Sequence, residues 1–412
     1  MPSPPEPSTV AVDGDTPAEA ALRAEVRAWM AAHAAPYGPA ERHIRLVDTP
    51  DVAAAARAWQ RELAAGGWSV PTWPVEHGGR GLPSHLARIV REEETRYAVP
   101  AGMFQVATLM VGPTLMAHGT PAQQARFLPA IRSGEHLWCQ LFSEPDAGSD
   151  LAGLRTRAER DGDAWVVTGQ KVWTSGARGA DWGILLARTG PAGSRHAGIT
   201  YFLCDMRSAG VTVRPLTQIN RAAHFNEVHL DGVRIPDNRV VGEVGEGWAV
   251  ARTTLGAERM MIGSMNVGDY VGDVIAVARA GGRTGDSALR QDLVDLHIRG
   301  TVLRHLSDRV ITAVRTGGPV GPEASTIKLG LSLFLGRLGD VAMRVLDGDG
   351  LLEGGVPLDA TSDPHASYGR LQDMFLGQWS SRIGGGTEQI QRNLIAERAL
   401  GLPRDPRPAP AA

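Results

Sequence analysis

The hydrophobic positions change period twice along the chain. Between residues 18 and 133, the stretches AEAALRAEVRAWMAAH, DVAAAARAWQRELAAG, HLARIVREEETRYA and PAQQARFLPAIRSG place apolar residues three and four apart, the spacing of helices with one buried face. From Leu137 to Val241 the runs become short. LWCQLFS, AWVVTGQKVW, DWGILLA, GITYFLCDM, GVTVRPL and FNEVHLDGVRI are apolar or alternating segments broken by Gly, Pro, Asp and Asn, which predicts strands. Helical spacing returns from Gly247 to Leu400, above all in GWAVARTTLGAERMMIGSMNVGDYVGDVIAVARA and ALRQDLVDLHIRGTVLRHLSDRVITAV. The expected chain is an α+β multidomain protein: a helical domain over 18–135, a β-barrel or sandwich over 136–241 and a second helical domain over 242–402, with a pocket at the junction. Residues 1–17, rich in Pro and acid, read as a disordered lead, and 403–412 as a loose Pro-rich tail.

Composition narrows the possibilities. With 412 residues, 43% of them hydrophobic, and a formal net charge of -3, the chain is globular and gives no electrostatic reason to bind nucleic acid. No apolar stretch of about 18 residues is present to insert in a membrane. Cys139 and Cys204 are too few for a metal or disulfide framework, which fits a cytoplasmic protein, and the histidines show no metal spacing.

Three stretches carry candidate chemistry. QLFSEPDAGSD, residues 140–150, follows a strand with a small, polar, turn-forming segment whose hydroxyls and unhindered N–H groups suit a polar ligand or a phosphate; the alternative is an ordinary turn between strands. GQKVWTSGARGADW, residues 169–182, ends a strand in Trp173 with Thr174 and Ser175 beside it, either a core aromatic or a surface for a cofactor ring. SRIGGGTEQIQRNLIAERALGLPR, residues 381–404, opens its last helix at the N-cap Thr387 directly after Gly384, Gly385 and Gly386, and Gly401 with Pro403 ends it.

Together these resemble the acyl-CoA dehydrogenase family over nearly the whole chain. LFSEPDAGSDLAG is similar to the family's first signature, KVWTSGA to its flavin-contact strand, FNEVHLDGVRIP to its β-domain exit and GGGTEQIQRNLIAER to its C-terminal flavin loop, in the family's order. The branch it looks most like is the actinobacterial type. The resemblance implies a C-terminal domain like a four-helix bundle, FAD as cofactor and an acyl-CoA or acyl-carrier thioester as substrate. It further implies an electron-transfer flavoprotein as acceptor and a homotetramer or dimer. Ser143 and the backbone around Phe142 would hydrogen-bond the flavin ring, and Gly148 and Ser149 would meet the pyrophosphate. Trp173 would pack on the ring, Thr174 and Ser175 would bond its edge, and Gly386, Thr387 and Gln389 would meet the cofactor where the last helix begins.

In many family members the catalytic base is a glutamate two positions before that threonine; here the position is Gly385. A subset carries the glutamate on the first long helix of the C-terminal domain, before an arginine, which corresponds to Glu258 and Arg259. Ala251, Leu255, Ile262 and Met265 share a helical face into which Glu258 falls, and a carboxylate on an apolar face needs a partner, a pocket or a task. The alternative is a Glu258–Arg259 pair at the lobe edge. The implied reaction is α-proton abstraction by Glu258 with β-hydride transfer to flavin N5, giving a 2,3-enoyl thioester, while the Gly385 N–H polarises the thioester carbonyl and Arg259 orients the base or meets CoA. Two departures stand out. GGRTGDS keeps Arg283 but lacks the family's aromatic, and RVLDGDG puts Arg344 and Asp347 where a Gln and a Gly are usual. The competing readings are an oxidase or flavin monooxygenase on the same fold, or a partner subunit of a heteromeric dehydrogenase.

Overall fold

In the computed structural model, the described residues are 15–38, 50–191, 193–263, 268–315, 323–351 and 364–404. The N-terminal domain contains α1 (Pro17–His33), α2 (Pro50–Ala65), α3 (Ser84–Glu94), α4 (Gly112–His118) and α5 (Pro121–Ser133), with a π-helical turn, Val106–Val111, leading into α4. Thr16 and Thr120 open α1 and α5 with reciprocal side-chain caps, so both starts are set by local sequence.

The middle domain is one eight-stranded sheet made of β1 (Trp138–Leu141), β2 (Arg157–Asp161), β3 (Ala164–Ser175), β4 (Trp182–Arg188), β5 (Ile199–Asp205), β6 (Val211–Leu216), β7 (Phe225–Pro236) and β8 (Val240–Val241). Its order is β6-β7-β3-β2-β4-β5-β8, with β1 laid parallel on β4. β4 and most of β5 are buried at every position, as expected for central strands covered on both faces.

The C-terminal domain is helical: α6 (Gly247–Gly263), α7 (Gly268–Ala280), α8 (Ser287–Arg315), α9 (Glu323–Leu346), α10 (Pro364–Ile383) and α11 (Glu388–Leu394). α7, α8, α9 and α10 share an apolar core that includes Val274, Leu296, Phe334, Leu338 and Leu371. The last helix differs from the sequence expectation. Thr387 caps it, but the α-helix stops at Leu394 and a π-helical turn, Ile395–Ala399, follows. Leu400 N–H reaches Ile395 O and Leu402 N–H reaches Ala396 O around left-handed Gly401, and these long-span bonds wind the final turn wide.

One further core belongs to no single domain. Trp73, Leu115 and Phe127, Trp138, Ile184 and Tyr201, and Val250 and Ala251 form a continuous buried cluster. At its centre three buried hydroxyls meet: Thr254 of α6 lies 2.9 Å from Thr114 of α4 and 3.1 Å from Tyr201 of β5.

Cys139 and Cys204 are both fully buried and both lie beside Gly183, so they are two strand spacings, about 9.6 Å, apart. That distance excludes a disulfide. Burial raises both thiols, Cys204 to about 12. A thiol-reactive chromophore is therefore expected to label neither cysteine in the native protein and both after denaturation; labelling of native protein would show that this sheet opens.

Candidate active site

The loop after β1 is fixed by the sheet beneath it. Phe142 is buried with its ring edge-on to Tyr201, centroids 5.9 Å apart. Its carbonyl accepts the Lys171 ammonium at 3.1 Å, and the Ser143 carbonyl accepts Val172 N–H at 2.9 Å. Glu144, also buried, accepts from Lys171 Nζ at 2.8 Å, Arg155 N–H at 2.6 Å and Thr156 N–H at 2.9 Å. Burial alone would raise the Glu144 carboxyl; the Lys171 charge and these hydrogen bonds more than offset it and hold it below its usual range. Ser143 is half-buried, and Gly148 and Ser149 are exposed at the loop's tip.

β3 carries a bulge at the expected flavin-contact motif. Lys171 pairs with Val228 and Thr174 with Asn226, so two residues of β3 stand opposite one of β7. Trp173 takes up the distortion at φ 61°, a conformation rarely adopted by a bulky residue. Its indole projects 60% exposed and edge-on to Phe225. Thr174 beside it is 1% exposed, and its hydroxyl has no partner in the polypeptide; Ser175 is exposed. An exposed aromatic face on strained backbone next to an unsatisfied buried hydroxyl fits a flat ligand with a polar edge, as an isoalloxazine is.

The glycine triplet has a geometric reason. Gly385 and Gly386 are both left-handed, at φ 65° and 91°. Gln391, fully buried, donates to the carbonyls of Gly385 and Gly386 at 3.0 and 3.4 Å, and a Cβ on Gly386 would lie 2.7 Å from its Nε2. Thr387 accepts Ile390 N–H at 3.2 Å, while Gln389 is exposed.

Glu258 is half-buried on α6. Gln140 of β1 donates its amide to Glu258 Oε2 at 3.4 Å, which brings the carboxylate to the edge of the loop that begins at Phe142. Ala251 and Leu255 pack into the shared core as the apolar stripe predicts; the side chains of Arg259, Ile262 and Met265 lie outside the described residues. On α9, Lys328 is 2% exposed and donates to Ser381 O at 2.9 Å. Burial lowers its pKa, while Glu388 and Glu258 oppose that shift, so α6, α9 and α11 present charged groups to one region. Arg283 pairs with Asp347 at 2.9 Å and Arg344 pairs with Asp292, so both arginines of the divergent motifs are engaged on the bundle itself.

Gln140, Lys171 and Lys328 were not singled out by sequence reasoning. For Lys171 the signal was available: it shares strand parity with the buried Trp165 and Val167, and a lysine on a core-facing position needs an explanation. Among the described residues no cluster of three or more His, Cys, Asp or Glu could hold a metal, and no helix is long and apolar enough to cross a membrane.

The α–β–α order fits a flavin-dependent dehydrogenase, and comparison with known proteins gives the class. The chain belongs to the acyl-CoA dehydrogenase family: its N-terminal, middle and C-terminal domain descriptions match residues 16–135, 139–233 and 245–400. It is an FAD-dependent oxidoreductase. It is 37% identical over 399 residues to acyl-CoA dehydrogenase IpdE1 of Mycobacterium tuberculosis, covering 93% of this chain and 98% of that protein. It is 41% identical over 354 residues to acyl-CoA dehydrogenase FadE34 of the same organism, covering 84% of this chain and 46% of that longer protein. Among solved structures, one described as "Tcur3481-Tcur3483 steroid ACAD" superposes with a TM-score of 0.79 at 28% identity, over 95% of this chain and 99% of that one. The ChsE4-ChsE5 complex from Mycobacterium tuberculosis gives 0.76 at 28% identity, over 95% and 100%.

Proposed function

We propose that this chain introduces a 2,3 double bond into an acyl-CoA whose acyl group is bulky and polycyclic, with Glu258 as the base. The observation that carries the reading is the pairing of a glycine at 385 with a half-buried carboxylate at 258, held from β1 by Gln140. Phe142, Ser143 and Trp173 to Ser175 hold the flavin ring, Gly148 and Ser149 the pyrophosphate, and Gly386, Thr387 and Gln389 the cofactor at the start of α11. When bound, FAD supplies the hydride acceptor. Glu258 takes the α-proton as general base. The Gly385 N–H polarises the thioester carbonyl, stabilising the charge that develops as the α-carbon is deprotonated. Arg259, next on α6, orients the base or meets the CoA moiety, and Arg283 approaches a neighbouring subunit's cofactor.

The bulky acyl group is supported by the likeness to a structure described as a steroid enzyme. The neighbours described as two-protein assemblies, together with Trp379 and Ile383 lying 50% and 63% exposed on α10, support assembly with a second chain of this fold. Electron-transfer flavoprotein is the proposed acceptor. Anaerobic mixing of the holoenzyme with straight-chain and polycyclic acyl-CoAs tests the reading. Flavin absorbance near 450 nm should bleach, fastest with the polycyclic thioesters. Bleaching confined to straight chains would sink the substrate assignment, and none with any thioester would favour the monooxygenase or partner-subunit alternatives.

A further inference from the structure

Lys171 of β3 is a charged side chain with no solvent exposure at all. It lies two residues before Trp173 on β3, at the start of the bulge. Its contacts point two ways. On one side the ammonium meets the Phe142 carbonyl at 3.1 Å; on the other it meets Glu144 Oε1 at 2.8 Å. Glu144 is itself immobilised by the N–H groups of Arg155 and Thr156. A structural ion pair would need only the second contact.

The first contact has a directional consequence. In a trans peptide the C=O and N–H point in opposite directions. With the Phe142 carbonyl drawn down onto Lys171, the N–H of Ser143 faces away from that buried side chain. The next carbonyl, that of Ser143, is drawn back by Val172 N–H in the same way. A full positive charge on the carbonyl end of a peptide also withdraws electron density from it and strengthens the N–H as a donor.

We propose that Lys171 is a positioning residue for the flavin: with Glu144 as its fixed counter-ion, it turns and polarises the Phe142–Ser143 peptide so that the Ser143 N–H is aimed at an acceptor edge of the ring. The proposal rests on the reading that the flavin lies on the Phe142–Ser143 loop and Trp173. Its consequence is redox, not only structural. Reduction adds negative charge to the ring, so a donor aimed at an acceptor edge binds the reduced flavin more tightly than the oxidised one and raises the reduction potential.

Lys171→Met alone would strand the buried Glu144 carboxylate, so the first variant is the double replacement Lys171→Met with Glu144→Gln. Lys171→Gln with Glu144→Gln is the second; it keeps a polar amide at position 171 but carries no charge. Each is measured as holoenzyme, by dye-equilibrated reduction potential and by FAD dissociation. The expected result is a folded protein whose reduced FAD loses about tenfold more affinity than its oxidised FAD, a fall of about 30 mV for the two-electron couple. Lys171→Arg, which keeps the charge, should restore most of the potential. An unchanged potential in whichever neutral variant folds overturns the proposal. Trp173→Ala separates this from failure of the site itself. If it leaves the flavin absorbance and fluorescence untouched, the ring is not on this strand and both readings fall. If it changes them while the neutral Lys171 variants keep the wild-type potential, only the role of Lys171 is lost.

Discussion

Glu258→Gln is expected to slow substrate reduction of the flavin about 10³-fold while leaving FAD bound, the scale of loss for removal of a positioned general base. The substitution preserves the shape of the side chain and removes only its capacity to take a proton. Gln140 donates to Glu258 Oε2, and the glutamine variant can keep that contact through its own amide oxygen, so a loss of rate would not report a rearranged site. Position 385 has no carboxylate to take over, and Glu388 at the start of α11 is paired with Arg382 at 2.6 Å. Gly385 is left-handed at φ 65°, where a residue with a Cβ carries roughly 1–2 kcal/mol of strain. Stopped-flow absorbance with a reactive acyl-CoA reads the result. Undiminished bleaching in the variant would place the base elsewhere and overturn the assignment, whatever the substrate.

The second large effect concerns stability. Trp73→Ala should destabilise the protein by about 3–5 kcal/mol, the usual range for removing a fully packed indole. Trp73 is 2% exposed in the core that the three domains share, and its Nε1 donates to Thr108 O inside the π-helical turn at 3.0 Å. Its ring fills the space left by Gly112: a Cβ there would lie 2.0 Å from Trp73 Cζ2. Gly112→Ala is therefore expected to destabilise by about 1–3 kcal/mol through overpacking. Because the two residues occupy one space, the double variant should lose less than the sum of the single losses. Thermal or denaturant unfolding of all three variants reads the cycle; strict additivity would mean that Trp73 and Gly112 are not packed as described.

Periodicity carried most of the architecture. Trp165 and Val167 fall on buried positions that alternation assigns, and Thr387 caps the last helix as its sequence suggests. The segment around residues 104–118 was missed because Gly112-Pro113 reads as a break. The chain passes through it as a π-helical turn that runs straight into α4, and Thr108 O, five residues before the N–H-less Pro113, accepts from Trp73 Nε1 instead. β2 escaped notice because RAERD has a single apolar residue, Ala158; its pairing with β3 supplies what its own side chains do not. At the candidate site, the motif residues could be proposed from sequence because small and aromatic residues at loop ends are conspicuous. Gln140 was not, because its role depends on a helix more than a hundred residues away. Trp173's backbone strain was equally invisible, since it follows from a register shift between β3 and β7 that only the paired sheet defines.

The core shared by all three domains has an evolutionary implication. Thr114, Tyr201 and Thr254 come from three different domains, yet each satisfies its hydroxyl through another. Thr114 and Thr254 can fall back on the Met110 and Val250 carbonyls of their own helices, but exchanging the C-terminal domain for a distant relative's would take Thr254 away from the buried Tyr201 hydroxyl. The lineage is thus constrained to change by small, mutually compensating substitutions around this junction rather than by shuffling whole segments.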